Sequence, residues 1–333
     1  MMVKDLTPSI NIAVVICTFN RAPHLDAVLA VLSGQTRSDE VVWDVLVVDN
    51  ASTDDTADVV AAHQAKALLP GLRYVYEAEQ GLTAARLRGV TETTAPWVAF
   101  VDDDNMLAPG WLQAVGQAIR AHPEAGGVGG KVILDWEAPP PGYLKQFGFC
   151  FAQQDAGEED CVTDNLAGAG MVLRRSALIE CGWVDGPLVA DRVGKSLVSG
   201  GDAEIAQRIR SAGYPLWYTP AAVLNHRIPA SRTERRYLFR ISHALGTSAV
   251  LIDLLTWPGD WTSWRKVAAS RRRYWRALAL RGLWYGLCNR GHLTPALAWC
   301  SHALGVARGV RHCLSLKPER RSALFGAAPI ARS

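Results

Sequence analysis

The chain has 333 residues, of which 49% are hydrophobic and 20% are charged. This supports a sizeable core, in one large domain with an appendage or in two domains, and excludes a chain that is disordered as a whole. The charge is divided: residues 1–226 hold 16 Lys and Arg against 28 Asp and Glu, a net charge of −12, whereas residues 227–333 hold 19 against 4, a net charge of +15. We therefore expect an acidic part suited to a cation and a basic part suited to an anionic surface or a polyphosphate.

The cysteines are scattered and include no CxxC pair, so we expect reduced thiols, a cytoplasmic setting and no zinc site. They are Cys17, Cys150, Cys161, Cys181, Cys288, Cys300 and Cys313. The N-terminal segment carries Lys4 and Asp5 and lacks the pattern of a signal peptide. No uncharged apolar stretch reaches about 18 residues, so we expect no membrane-spanning helix.

Strand-like apolar runs and helical patterns alternate in the first part of the chain. Strands are predicted at 12–17, 45–48, 72–76 and 97–101, and helices at 24–32, from the polar cluster 49–54 to about 69, and at 81–90. Short connections between them predict a doubly wound α/β domain with a mostly parallel sheet and helices on both faces. Further on we expect a helix from near Pro109, a loop at 136–148, a strand at 169–173, a helix at 202–212 and a short strand at 216–219 that leads to His226.

The composition changes after about Leu245, where Arg and Trp dominate; six of the 12 tryptophans lie between Trp257 and Trp299. We predict a catalytic domain over residues 1–245 and a basic helical extension over 246–333. One interpretation of the extension is a peripheral membrane anchor, with Arg among the headgroups and Trp at the interface. The other is a helical layer that packs on the first domain with its tryptophans in the core. The positive charge of the extension would allow nucleic-acid binding, but no other feature of the sequence supports it, so we do not expect nucleic acid as a partner.

Polar clusters follow three of the predicted strands, at 18–21, 49–54 and 102–105. Ligands bind at the carboxyl ends of the strands in such sheets, so these clusters predict one site. Three adjacent carboxylates, Asp102-Asp103-Asp104, repel each other and favour a nearby cation such as Mg²⁺ or Mn²⁺. On an extended segment Asp102 and Asp104 would point to the same side. The alternative is a solvated acidic turn before the next helix.

Four other residues are candidates, each with an ordinary structural alternative. Asp49 suits a base N–H or a ribose hydroxyl, or it belongs to a helix cap. Arg86 offers a cationic fork to a ligand, or it is solvated. Asp202 opens a helix after two glycines and suits a general base, or it caps that helix; Glu204 does not share its helical face and has a different role. His226 is a structural residue or a ligand.

Taken in order, four motifs resemble family 2 of the inverting glycosyltransferases, which have the GT-A fold. The motifs are Thr18-Phe19-Asn20-Arg21, Val47 to Asp54, Gly81 to Arg86, and Asp102-Asp103-Asp104. The resemblance covers roughly residues 10–245. It implies that Thr18, Asn20 and Arg21 line the nucleotide pocket and that Asp49 contacts the uracil or ribose.

The same resemblance implies further roles. Arg86 would help to hold the nucleotide. Asp102 and Asp104 match the ends of the Asp-x-Asp motif, whose last Asp binds the metal, and Asp103 lies between them beside the donor without a defined role. His226 resembles a His that can join the metal or the diphosphate.

Two motifs depart from the family pattern. Gly168-Ala169-Gly170-Met171 resembles an acceptor-side loop that often reads Gly-Ala-Asn-Met, with Gly170 in place of the amide. Gly201-Asp202-Ala203-Glu204 resembles the Glu-Asp-x-Asp/Glu motif, with Gly201 in place of the first Glu, and Asp202 then matches the usual base. The segment 226–240 is similar to bacterial members that build exopolysaccharides.

The resemblance implies an inverting transferase that moves a sugar from a nucleotide-sugar donor such as a UDP-sugar to a glycan or lipid-linked acceptor in polysaccharide biosynthesis. Asp202 would be the general base, and Mn²⁺ or Mg²⁺ would bind at Asp104 with Asp102 and His226. We expect a cytoplasmic enzyme, with peripheral contact at the inner face of the plasma membrane if the extension is an anchor. The absence of a Gly-rich loop after the first strand disfavours a nucleotidyltransferase or a dehydrogenase. A non-catalytic module that binds a nucleotide or glycan as a scaffold stays open because of Gly201.

Overall fold

The computed structural model describes residues 9–189, 191–192, 197–289, 293–319 and 321. The strands are β1 (Ile10–Thr18), β2 (Val41–Asp49), β3 (Arg73–Tyr76), β4 (Trp97–Asp102), β5 (Asn105–Leu107), β6 (Gly127–Trp136), β7 (Cys161–Thr163), β8 (Met171–Arg174) and β9 (Leu216–Ile228). The helices are α1 (Ala22–Ser33), α2 (Thr56–Lys66), α3 (Leu82–Thr91), α4 (Trp111–Ala121), α5 (Arg175–Glu180), α6 (Gly201–Ser211), α7 (Arg235–Leu255), α8 (Trp261–Cys288) and α9 (Leu293–Ser315).

These strands form one mixed sheet in the order β3-β2-β1-β4-β8-β6-β9-β5, and β7 pairs with β9. The first four strands are parallel to their neighbours among themselves. Strand β8 then runs antiparallel to both β4 and β6, while β6 and β9 are parallel. The predicted α/β sheet flanked by helices is therefore confirmed, and its parallel part is the half that binds ligands in related sheets.

Helices cover both faces of the sheet, which is why its central strands are apolar throughout. Val14 of β1 packs in a core with side chains of α1, α2 and α4, whereas the next residue, Val15, packs in a second core with α3, α5 and α6. Gly89 lets α3 approach β1 closely, because a Cβ at this position would collide with Val15. The two cores hold the strand ends in place from both sides.

The sequence analysis missed β6 and predicted only the first four residues of β9. Strand β6 begins with glycines, which are depleted in strands. Pro220 lies within β9, where a proline in the sequence argues against a continuing strand. The pairing of the two strands shifts register between Gly130 and Lys131, and this irregularity accommodates the proline. His226 consequently lies inside β9 rather than after a short strand. The loop predicted at 136–148 contains the start of a 3-10 helix, Gly142–Phe151.

The basic extension packs as a helical layer. Gly246 of α7 and Gly305 of α9 lie against each other's helix backbones, where any Cβ would collide. Trp264 of α8 is fully buried and packs in one core with α7 and α9. Trp284, near the end of α8, is 72% exposed. The tryptophans thus divide between a packed core and a solvent-facing surface, and each interpretation of the extension accounts for one part.

Helix α7 crosses residue 245, so the predicted boundary between the two domains falls within a continuous helix, and the division itself stays a prediction. By length and composition α7 is also long and apolar enough to cross a membrane, but 56% of its most apolar window is buried inside the protein. Such burial is typical of a core helix.

Candidate active site

The carboxyl ends of β1, β2 and β4 meet at the floor of a cleft of about 1150 Å³. Strand pairing places Thr18 beside Asp49 and Cys17 beside Asp102, as expected for parallel strands that end at one edge. Most of the predicted site residues line the cleft, namely Thr18, Arg21, Arg86, Asp102, Asp103, Asp104, Asp202 and His226. Of the predicted residues, all of which the structure describes, only Asn20 and Asp49 do not line it.

Asn20 and Asp49 join the two loops behind the cleft. Asn20 adopts a left-handed backbone with φ 52°, and its Oδ1 accepts hydrogen bonds from the Thr53 N–H at 2.7 Å and from the Thr53 hydroxyl at 3.2 Å. The Asp49 carboxylate accepts from Ser52 N–H at 2.8 Å and from the Tyr74 hydroxyl at 2.7 Å. Both side chains therefore have protein partners that fix the shape of the pocket.

Asn50 is a site residue that the sequence analysis did not single out. Its Oδ1 accepts from Gly81 N–H at 2.7 Å, and its Nδ2 donates to the Glu79 carbonyl at 2.6 Å. The bonds hold the loop before α3, the helix that carries Arg86. Asn50 is adjacent to the motif residue Asp49, which was the only available signal.

The acidic run does not form an extended segment. Strand β4 ends at Asp102, and Asp103 and Asp104 form a turn before β5, so the extended geometry expected for the run is not observed, although Asp102 and Asp104 both line the cleft. Thr18 donates to Asp103 at 2.8 Å, and the Arg21 guanidinium bridges Asp103 at 2.6 Å and Asp104 at 2.8 Å. The side chain of Asp102 is 33% exposed to the cleft, whereas Asp104 is 4% exposed.

Burial and neighbouring charges shift the pKa values of Asp103 and Asp104 in opposite directions. Burial raises the pKa of Asp103 to about 7, and the Arg21 charge opposes this rise. Burial would also raise the pKa of Asp104, but His226, Arg21 and Arg232 together outweigh it and hold that pKa far below its ordinary value. Asp104 is therefore a fixed negative charge at the floor of the cleft, with Arg232 at 3.4 Å.

His226 is oriented toward Asp104 by a backbone carbonyl. Its Nδ1 lies 2.7 Å from the Phe151 oxygen, and because a carbonyl can only accept, Nδ1 carries the proton. Nε2 lies 3.3 Å from Asp104 Oδ1. In a neutral imidazole this nitrogen presents a lone pair to a carboxylate, so a cation between them, or a proton on Nε2, is needed to satisfy both. A backbone carbonyl on the other ring nitrogen is typical of metal-binding histidines.

Asp104 and His226 with the nearby Asp102 are the residues that fit a hard divalent cation. Across the part of the chain that the structure describes, no group of three or more His, Cys, Asp and Glu side chains is gathered closely enough to hold a metal by itself. Mg²⁺-type sites are commonly completed by substrate phosphate oxygens and water. The donor set therefore suits a cation that arrives with a phosphate-bearing ligand.

Asp202 and Glu204 are close in sequence but differ in burial and in their hydrogen-bond partners. Asp202 lies in the first turn of α6 at the cleft, where its Oδ2 accepts from Gly168 N–H at 3.3 Å. Glu204 is fully buried and accepts from the backbone N–H groups of Leu188 at 2.9 Å and Val189 at 2.7 Å. Glu204 thus fixes the loop before α6, and Asp202 is left to face the cleft.

Arg86 and Asp191 form a largely buried pair in the wall of the cleft. The Arg86 guanidinium lies 3.9 Å from Asp102, 4.0 Å from Asp191 and 5.3 Å from the centre of the Phe100 ring. Asp191 was not predicted, because it lies in a loop that carries no motif. Burial raises the pKa of Asp191 to about 6, with Arg86 opposing the rise and Asp202 adding to it.

The helical extension supplies the other wall of the cleft. Its lining includes Ser248, Ile252 and Asp253 of α7, Arg271 of α8 and His302 of α9. Arg271 and Asp253 form an ion pair across α7 and α8. The sequence analysis placed no site residue here, because nothing in the Arg- and Trp-rich pattern indicates which residues face the cleft.

An α/β sheet with polar and charged groups gathered at the carboxyl ends of its parallel strands is typical of a protein that binds a ligand there. The model of the glycosyl transferase family 2 matches residues 13–182. The chain belongs to this family and is a glycosyltransferase.

Two curated relatives illustrate the range of similarity. A glucosyl-dolichyl phosphate glucuronosyltransferase of Haloferax volcanii is 26% identical over 257 residues, which cover 74% of this chain and 78% of the relative. A validoxylamine A glucosyltransferase of Streptomyces hygroscopicus subsp. jinggangensis is 36% identical over 125 residues, which cover 37% of this chain and 28% of the relative.

Two solved structures share the fold. The mannosyltransferase PcManGT from Pyrobaculum calidifontis, in complex with GDP-Man and Mn²⁺, superposes with a TM-score of 0.54 at 18% identity and covers 97% of this chain and 80% of its own. GalNAc-T7 with UDP, GalNAc and Mn²⁺ has a TM-score of 0.51 at 13% identity and covers 73% of this chain and 51% of its own. The chain thus has the GT-A fold.

Proposed function

We propose that this glycosyltransferase moves a sugar from a nucleotide-sugar donor, such as a UDP-sugar, to an acceptor hydroxyl with inversion, with Asp202 as the general base and a divalent cation at Asp104. The observation that carries the proposal is that one cleft holds both the Asp104–His226 pair and, on the N-terminus of α6, the carboxylate of Asp202. The part of the cleft around Asp104 and His226, the leaving-group end, suits the departing group of a displacement reaction. The part around Asp202, the acceptor end, suits the attacking hydroxyl.

The leaving-group end is built from Asp104, His226, Asp102 and two arginines. The first three would hold Mn²⁺ or Mg²⁺, which neutralises charge on a departing nucleoside diphosphate. Both solved neighbours were determined with Mn²⁺ and a nucleotide or nucleotide sugar, which supports this assignment. Arg21 and Arg232, which contact Asp104, lie close enough to bind phosphate oxygens beside it.

The nucleotide would lie over the ends of β1 and β2. Thr18 and Arg21 line this part of the cleft, and Asn20 shapes it through the loop that follows β2. Each Asp49 oxygen accepts one protein hydrogen bond and retains a lone pair for a second. Asp49 is buried behind the cleft lining, so its contact with the uracil or ribose stays a proposal that requires the nucleotide to reach beyond that lining. Asp103 contributes by holding Arg21.

At the acceptor end Asp202 would take the proton of the attacking hydroxyl. The hydrogen bond from Gly168 N–H holds Asp202 Oδ2 toward the cleft. Both oxygens of Glu204 already accept hydrogen bonds from the loop before α6. A positioned general base contributes about 10²–10⁴-fold to the rate.

A lipid-linked acceptor with peripheral membrane contact is the partner class we propose, in the synthesis of a polysaccharide or related glycan at the inner face of the plasma membrane. From Trp261 to Cys288 the sequence has no acidic residue, and its basic residues are Arg265, Lys266, Arg271, Arg272, Arg273, Arg276 and Arg281. Leu280, Trp284 and Leu287 of α8 are 66%, 72% and 61% exposed. Exposed apolar and aromatic side chains among arginines fit an anionic lipid surface, and the Haloferax relative is named for a dolichyl phosphate substrate.

The test is a screen of UDP- and GDP-hexoses for Mn²⁺-dependent hydrolysis, together with thermal stabilisation by UDP and GDP. We expect stabilisation by one nucleoside diphosphate only when Mn²⁺ is present, and slow hydrolysis of the matching sugar nucleotide. Stabilisation without hydrolysis or transfer would favour the non-catalytic scaffold. The absence of both would contradict the proposal.

A further inference from the structure

Asp191 is a cleft carboxylate with one oxygen that the described part of the chain leaves unpaired. Its side chain is 4% exposed and lines the cleft. Oδ2 accepts a hydrogen bond from Gly201 N–H at 3.3 Å. Oδ1 is buried and has no hydrogen-bond partner among the residues that the structure describes. Buried polar atoms are nearly always paired in native proteins, so an unpaired one on a side chain that lines a binding cleft indicates a group supplied by a ligand.

The backbone around Asp191 keeps this oxygen in place. Its carbonyl accepts from Leu82 N–H at 2.9 Å, and its N–H donates to the Thr83 hydroxyl at 3.1 Å, which ties the loop to the start of α3. Gly201 lets the carboxylate approach the N-terminus of α6, because a Cβ at residue 201 would lie 3.0 Å from Asp191 Oδ2. The carboxylate therefore occupies the space that a side chain at residue 201 would take, next to Asp202.

The surrounding charges restrict what can bind to Oδ1. Asp202 lies close enough to interact with Asp191 electrostatically, and Arg86, at 4.0 Å, faces both Asp102 and Asp191. An anion would be repelled by the carboxylates, and a ligand acceptor group would leave Oδ1 unsatisfied. A hydroxyl donates a proton without bringing charge, and adjacent hydroxyls of a sugar suit two neighbouring carboxylates.

We propose that Asp191 Oδ1 accepts a hydrogen bond from a sugar hydroxyl bound next to Asp202, so that Asp191 determines which sugar the enzyme accepts. This inference rests on the proposed function, since it requires a sugar in the cleft. The hydroxyl belongs either to the donor sugar or to the acceptor sugar, and the chemistry at Oδ1 is the same in both cases.

The test compares Asp191→Asn with wild type, with Asp185→Asn as the control, since Asp185 is an exposed aspartate in the same loop. Substrates are the sugar nucleotide hydrolysed in the screen, n-octyl hexosides as acceptors, and monodeoxy analogues of each. In wild type, removal of one particular hydroxyl should lower kcat/KM by about 10- to 100-fold, the effect of a hydrogen bond to a charged group. In Asp191→Asn the same deoxygenation should cost little further, while Asp185→Asn should behave like wild type.

Loss at a donor position would assign the hydroxyl to the donor sugar and would also appear in hydrolysis. Loss at an acceptor position would appear only in transfer. Equal use of every deoxy analogue by the wild-type enzyme would overturn the inference, and so would an Asp191→Asn variant that keeps the full wild-type preference. The wild-type screen distinguishes failure of the proposed function from failure of this inference. If Mn²⁺-dependent stabilisation and hydrolysis are both absent, the proposed function itself is contradicted; if both are present, only the role of Asp191 is in question.

Discussion

The two ends of the cleft differ in how fully their side chains are paired. At the leaving-group end each carboxylate of the turn has cationic or hydroxyl partners, and Asp104 alone contacts Arg21, Arg232 and His226. At the acceptor end Asp202 accepts hydrogen bonds from the backbone N–H groups of Gly168 and Ala203, and Asp191 Oδ1 has no partner within the described ranges. This difference is the one expected if, as we propose, the first end is preorganised for charge and the second is completed by neutral hydroxyls of the substrate.

The largest effect is expected for Asp202→Asn, which should break the acceptor end alone. Without a base, kcat for transfer should fall about 10²–10⁴-fold, while Mn²⁺-dependent stabilisation by the nucleoside diphosphate should persist. Steady-state kinetics and thermal unfolding measure the two properties. Full transferase activity in this variant would remove Asp202 from the mechanism.

Asp104→Asn should break the opposite end. We expect Mn²⁺-dependent stabilisation by UDP or GDP to disappear and turnover to fall about 10²–10³-fold, because charge on the leaving group is no longer balanced. Asp58→Asn, an exposed substitution on α2, is the matched control and should change neither property. Retained metal-dependent nucleotide binding would contradict the assignment of the cation to Asp104.

Glu204→Gln should lower the stability of the protein rather than its catalytic rate. Glu204 is fully buried, and the side chain of Arg208 lies 2.8 Å away, so removing the negative charge leaves a buried cation without its partner. We expect the free energy of unfolding to fall by about 3 kcal/mol. Urea denaturation measures it. A stable variant with greatly reduced kcat would instead indicate that Glu204 shares the role of base.

His226→Gln should weaken the metal site without abolishing it. Asp104 and Asp102 remain, so the Mn²⁺ concentration needed for half-maximal activity should rise by at least about 10-fold, and excess metal should restore most of the rate. A metal titration at saturating donor tests this. An unchanged titration curve would make His226 a purely structural partner of Asp104.

The smallest effect on catalysis is expected for Trp284→Ala, which lies outside the cleft. Stability should change by less than about 0.5 kcal/mol, as for other exposed positions, and hydrolysis of the donor should be unaffected. Flotation with vesicles that contain anionic lipid should nevertheless decrease relative to wild type. If both proteins float equally, α8 does not contact the membrane through this surface.

The same contrast between the two ends explains what the sequence could predict. Strands β1, β2 and β4 are short apolar runs followed by polar clusters, so both the parallel sheet and the grouping of Thr18, Arg21 and the acidic turn at one edge were predictable. Strand β6 was not predictable, because its glycines interrupt the run of apolar side chains that marks the other strands. Asp191 and the cleft-facing residues of α7 carry no local motif, and their positions depend on how distant segments pack. The assigned roles of all these residues remain predictions.

The placement of α7 has a consequence for how such enzymes diversify. Because α7 and α9 contact each other through glycine backbones and together line the cleft, the helical layer is one packed unit. It shares a buried core with the sheet domain, in which Phe147 and Ile228 meet Leu238 of α7 and Ala298 of α9. A workable exchange point lies before Arg235, where α7 begins, rather than at residue 245, where a cut would divide the helix. Chimeras joined there, with the shared core preserved, would test whether the helical wall adds to an acceptor preference that Asp191 and Asp202 retain in the sheet domain.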